Sequence, residues 1–103
     1  MTITITDKAL DKIRSIADKK KIKDVAVYLD MVKTCCSIMP LANVIEQLDA
    51  ESEEIENVAG ISIYSCDSIK QILMKQGDIK AEINLLRLCG SDELTIRFCK
   101  NTV

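Results

Sequence analysis

The stretch DVAVYLDMVKTCCSIMP, residues 24–40, decides how the rest of the chain is read. From Val25 the apolar pattern has a period of two, with Val25, Val27, Leu29 and Met31 on one side and Ala26, Tyr28, Asp30 and Val32 on the other. Alternation of that kind belongs to a strand buried mostly on one face. The pattern stops at Lys33. The break from Lys33 to Pro40 holds the vicinal pair Cys35-Cys36, followed by Ser37, and the only proline. Its ring fixes φ and disfavours helix for Met39 before it. A strand, a loop of limited freedom carrying two thiols, and a second strand over Leu41 to Leu48 are expected.

On the N-terminal side, Thr2 to Thr6 alternates Thr with Ile as a short edge strand does, and Thr6 or Asp7 can cap a helix running to Lys20. Leu10, Ile13, Ile16 and Ala17 fall on one face of that helix, with Asp7 in its first turn and Lys19 and Lys20 in its last, where they suit the dipole. Lys19, Lys20, Lys21 and Lys23 form the only basic run, and it reads as a solvated helix end rather than an anion site.

On the C-terminal side, Asp49 to Glu54 is an acidic turn without the glycine and ligand spacing of a calcium loop. Ile61 and Ile63 alternate in a short strand after Gly60. Asp67 or Ser65 can cap a second helix from Ser68 to Gln76, with Ile69, Ile72 and Leu73 as its buried face and Gly77 closing it. Ile79, Ala81, Ile83 and Leu85 alternate, then Leu86 and Leu88 take the opposite phase, which predicts a bulge near Asn84. Gly90-Ser91-Asp92 reads as a hairpin turn and Leu94, Ile96 and Phe98 as the last strand. The class is mainly β with two α-helices and mostly antiparallel strands. The expected common core contains Leu10, Ile13, Val27, Leu29, Ile72, Ile83, Ile96 and Phe98.

At 103 residues the chain is expected to form a single domain, residues 1–103. A chain of that size removes roughly 60–70% of its unfolded surface from water, enough for one core. A net charge of −2 gives no reason to expect nucleic acid or an anionic membrane as partner. The first residues have neither a basic lead nor an apolar core segment, so a cytoplasmic location is expected. There is no histidine, which removes the commonest general base and metal ligand and leaves thiolate chemistry. Five cysteines cannot all pair within the chain, so free, metal-bound or redox-active thiols are expected.

Of the five, Cys35 and Cys36 stand in an irregular loop, a poor place for core filling. A metal held there needs further ligands, from Cys99, Cys89 or a second copy of the chain. Cys66 precedes a helix start and Cys89 a glycine at a strand end, and both read as packing residues. Cys99 alternates with Phe98 and so faces away from the core.

In order and residues the chain resembles the HesB/IscA group, the A-type iron–sulfur carriers. ITITDKALDKI (3–13) is similar to that family's opening into its first helix, and VYLDMVKTCCS (27–37) to its strand and cysteine turn. NVAGISIYSCDSIKQIL (57–73) resembles its GVxVxVDxxSxxxL stretch, and LTIRFCKN (94–101) its last strand. The resemblance implies a β-sandwich or pseudo-barrel flanked by two helices, often dimeric, that binds iron or an iron–sulfur cluster and works with iron–sulfur assembly proteins. Cys36 matches the family's turn cysteine. Cys35 stands where the family has glycine, as in a divergent branch with a Cys-Cys or selenocysteine turn. The family's C-terminal CGCG tail is absent from these 103 residues, and Cys99 does not align with it.

Three functions follow as expectations. In the first, Cys36 and Cys35, with Cys99 as remote ligand, bind iron or a cluster, and the protein is a carrier rather than an enzyme. In the second, the chain is a thiol redox protein that uses the Cys35-Cys36 pair on thiol partners without metal. In the third, it is a non-catalytic interaction module.

Overall fold

The computed structural model describes residues 2–33, 37–48, 54–75, 79–88 and 90–100. Its elements are β1 (Thr2–Ile5), α1 (Asp7–Lys20), β2 (Val25–Lys33), β3 (Ile38–Glu46), β4 (Glu56–Val58), β5 (Ile61–Ser65), α2 (Asp67–Lys75), β6 (Ile79–Leu88) and β7 (Ser91–Lys100). The described strands form one seven-stranded sheet in the order β1-β6-β7-β3-β2-β5-β4. The outermost strands β1 and β4 approach one another, so the sheet nearly closes into a barrel. The expected mainly β fold with two helices is what the chain adopts. Two neighbouring pairs, β1 with β6 and β2 with β5, run parallel, and the other four are antiparallel.

Strand directions fix where the helices lie. β1 ends and β2 begins at one end of the barrel, and α1 joins them there; β5 ends and β6 begins at the other, and α2 joins those. Ala9, Ile13 and Ala17 from α1, and Ile69 and Leu73 from α2, enter one core with Val27, Leu29, Ile63, Ile83 and Ile96. Leu10 and Phe98 are half-buried at its margin. Ile72 is not a core residue: at 36% exposed it lies on the outward side of α2, because a helix of nine residues turns only the Ile69–Leu73 row fully inward.

Thr6 is the cap of α1. Its hydroxyl oxygen accepts from Ala9 N–H at 3.3 Å and donates to Asn84 Oδ1 at 3.1 Å. The same Asn84 oxygen accepts from Leu85 N–H at 2.8 Å. β1 pairs with β6 only as far as Ile83, so Asn84 satisfies the next backbone donor with its own side chain and fastens the helix start to the sheet.

Five details depart from the sequence reading. β6 carries no bulge: its register with β7 runs unbroken from Ile79↔Lys100 to Leu88↔Ser91. The phase change reflects exposure instead, since Leu86 lies outward and 45% exposed. That register leaves positions 89 and 90 for the turn, with Gly90 at φ +84°, so Ser91 and Asp92 belong to β7. β3 begins at Ile38 and takes in Pro40, opposite Met31. A proline is tolerated there because β3 meets β7 at the Leu41↔Thr95 rung and Pro40 lies beyond it. β4, which the acidic surroundings of Glu54 and Glu56 concealed, pairs with β5 through the two-residue turn Ala59-Gly60. α2 begins at Asp67, one residue before the expected start. The acidic turn over 49–53 and the helix stop at Gln76 and Gly77 lie outside the described residues.

Candidate thiol and metal site

Pairing of β2 with β3 runs rung by rung from Val25↔Glu46 to Lys33↔Ile38. Lys33 and Ile38 therefore stand opposite one another, on either side of the segment that carries the cysteine pair. Cys35 and Cys36 themselves lie outside the described residues. Their flanks are open: Lys33 and Ser37 are exposed, Met31 is 38% and Ile38 66% exposed. The hairpin thus extends past the packed core, because the last core-lining rung is Leu29↔Ala42.

Cys99 is exposed on β7, with Lys80 opposite it on β6. Arg97 and Glu82 form the next pair on the same face, and the four side chains line a shallow cavity of about 160 Å³. Phe98 points the other way, toward the core margin, as the alternation predicts. β7 runs toward the end of the barrel at which β2 gives way to β3. Measured from the Leu41↔Thr95 rung, Ile38 is three residues and Cys99 four residues along in that direction. At about 3.3 Å per residue they stand at comparable heights. The topology therefore brings Cys99 to the same end of the barrel as the cysteine hairpin.

Cys66 is half-buried between β5 and α2. Its N–H donates to Leu29 O at 2.9 Å and its carbonyl accepts from Lys70 N–H at 3.0 Å, so it ties the helix start to β2. It also packs against the core, which fits the structural reading. Cys89 lies outside the described residues. Beside Cys66 stands Tyr28, whose phenol is pushed above its ordinary pKa, first by burial and then by Asp30, Cys66 and Asp67. This grouping was not legible in the sequence, because it depends on the parallel register Tyr28↔Tyr64 between β2 and β5.

Among the described residues, no group of three or more Cys, Asp or Glu side chains is placed to hold a metal ion. Among the described helices, none is long and apolar enough to cross a membrane.

No protein-family model matches the sequence, and no curated protein matches it. Solved structures do resemble it. A protein from Aquifex aeolicus, determined by solution NMR, superposes with a TM-score of 0.59 at 18% identity, covering 90% of this chain and 87% of that one. The crystal structure of Escherichia coli SufA, a protein involved in biosynthesis of iron–sulfur clusters, superposes with a TM-score of 0.53 at 14% identity, covering 97% of this chain and 86% of SufA. At these identities the likeness establishes a shared fold.

Proposed function

We propose that the chain binds iron or an iron–sulfur cluster in the manner of an A-type carrier, with Cys36 and Cys35 supplying thiolates from the β2–β3 hairpin and Cys99 as the remote ligand. The observation that carries this reading is the fold shared with SufA over 97% of the chain, combined with a Cys-Cys pair in the hairpin connection. Thiolates are the ordinary ligands of iron–sulfur clusters. The donor chemistry fits, and the described part of β7 directs a further thiol to that end. Two thiols from one turn and one from a strand leave a coordination position for a partner's thiol or a second copy of the chain. That is what a carrier needs in order to pass its cargo to iron–sulfur assembly proteins.

A second reading rests on the same pair, since adjacent thiols can close on each other. Here Cys36 thiolate attacks a partner's disulfide, releasing one partner thiolate and forming a mixed disulfide. Cys35 then displaces the second partner thiolate, leaving the 35–36 pair oxidised and the partner reduced. Substitution separates the two. For a coordination site, Cys36→Ser abolishes iron or cluster uptake on anaerobic reconstitution and Cys35→Ser weakens it. For a redox site, neither wild type nor variant takes up metal, and mild oxidation removes two protons from the wild-type mass at the 35–36 pair.

A further inference from the structure

β3 and β7 are neighbours in the sheet, yet they meet at the single rung Leu41↔Thr95. The hydrogen bonds of the adjoining strands fix which backbone groups face the seam beyond it. In an antiparallel ladder each residue turns its N–H and C=O to the same neighbour, and successive residues alternate. Gln47 N–H donates to Asp24 O, so Ile45, Asn43 and Leu41 turn their groups to β2, while Glu46, Val44 and Ala42 turn theirs to the seam. On the other wall, Thr6 N–H donates to Ile83 O, so Ile83 faces β1 and Asn84 faces β7. Thr95, opposite Asn84, therefore turns back to β6, and Leu94 and Asp92 face the seam. A rung of this kind joins Ala42 N–H to Leu94 O, and there the ladder stops. Among the described residues, the seam-facing N–H and C=O of Val44 and Asp92 have no hydrogen-bond partner.

The seam opens into a cavity of about 390 Å³, lined by residues 42–45 of β3, 92–94 of β7 and the row Lys12, Ile16, Lys20 of α1. Its charged groups balance, Lys12 and Lys20 against Asp92 and Glu93, so they select neither an anion nor a cation. The backbone is what selects. Donors and acceptors repeating every second residue along a strand edge are the complement of another extended chain. We propose that this seam binds an extended peptide segment of a partner protein, added to β3 as a strand that pairs with the Ala42 carbonyl and with both backbone groups of Val44 and Glu46. Ile16, half-buried in the wall, gives an apolar side chain of that segment its contact. The seam lies on the α1 side of the Leu41↔Thr95 rung, away from the cysteine hairpin, so this proposal stands or falls independently of the metal reading.

The test is an NMR titration of the full chain with a blocked, uncharged peptide of alternating threonine and valine that matches Ala42–Glu46 in length. Two further versions are N-methylated at alternate residues, one in each phase, so that each lacks the backbone donors of one edge. Saturable shifts are expected at the amides of Val44, Glu46, Asp92 and Leu94, with little dependence on salt. Val44 and Glu46 N–H should exchange rapidly in the free chain and at least about tenfold more slowly at saturation, as groups newly hydrogen-bonded do. At least one N-methylated version should bind about tenfold more weakly, the effect of two lost hydrogen bonds, and Val44→Pro should cost about fivefold, the effect of one. Pro40 turns to the same edge of the same strand, so β3 accepts proline in this phase; should Val44→Pro not fold, the N-methylated peptides decide alone. The proposal is overturned by a Val44 amide already protected in the free chain, by shifts that do not saturate or that centre on β1 or β4, or by both N-methylated peptides binding as tightly as the parent.

Discussion

Replacing Ile13 by Ala tests whether α1 closes one end of the barrel as a core element. Ile13 is fully buried, in one cluster with residues of both helices and of the strands around the barrel. The substitution removes three carbons, worth about 0.8 kcal/mol each in transfer from water, or about 2.4 kcal/mol. A residual void of about 50–80 Å³ adds about 1–2 kcal/mol at ~24 cal/mol per Å³. The better helix propensity of alanine returns about 0.5 kcal/mol. The expected loss is therefore about 3–4 kcal/mol, which leaves a domain of ordinary stability, about 5–15 kcal/mol, still folded in water. The assay is equilibrium urea unfolding followed by far-UV circular dichroism. The midpoint should fall with the slope unchanged, since loss of packing alters stability without altering the surface exposed on unfolding. Ser15→Ala, on the exposed side of the same helix, should change stability by no more than about 0.5 kcal/mol. If Ile13→Ala also cost no more than about 0.5 kcal/mol, α1 would not be seated in the core and the barrel closure described above would be wrong.

Other expectations follow from single contacts. Ala59 occupies the left-handed region at φ 52° in a two-residue hairpin turn that favours Asn-Gly; Ala59→Asn should therefore raise stability by about 1 kcal/mol, seen as a higher melting temperature, and a lower one would contradict the turn assignment. Removing the Asn84 side chain with Ala should cost about 1–3 kcal/mol, because Leu85 N–H loses its acceptor and the Thr6 cap its anchor, and amide exchange should quicken at Leu85. Tyr28 ionises above the ordinary tyrosine value in the folded chain, so the fold holds its phenolic proton more tightly than the unfolded chain does. The resulting stability is fully present below about pH 10 and is lost as pH rises through the raised folded value. Phenolate absorbance should show Tyr28 titrating late, brought partway back by Asp30→Asn.

Local signals carried much of this fold. β2 was legible because Val25, Val27 and Leu29 alternate without interruption, and α1 because Thr6, Asp7 and the Ile13 row supply cap, dipole and face together. The outward setting of Cys99 followed from its phase against Phe98. What escaped was set by tertiary context. Leu86 and Leu88 suggested a bulge because alternation assumes that every apolar side chain is buried, whereas Leu86 lies on the outer face. Pro40 suggested a loop end, but it falls beyond the Leu41↔Thr95 rung to β7, where a missing N–H costs that ladder nothing. The three-residue β4 is too short for any period to register. In the candidate site, the candidacy of Cys35 and Cys36, which lie outside the described residues, could be read from residue type and loop context. The placement of Cys99 at the same end could not, because it depends on β3 and β7 being neighbours, which no local pattern encodes.

Whether the cysteine hairpin binds iron or an iron–sulfur cluster is decided by the iron and acid-labile sulfide content of the chain purified without air, read together with its intact mass. The coordination reading predicts iron bound to wild-type protein, with sulfide if the cargo is a cluster, and none bound to Cys36→Ser. Metal-free wild-type protein that also takes up no iron on anaerobic reconstitution would contradict it.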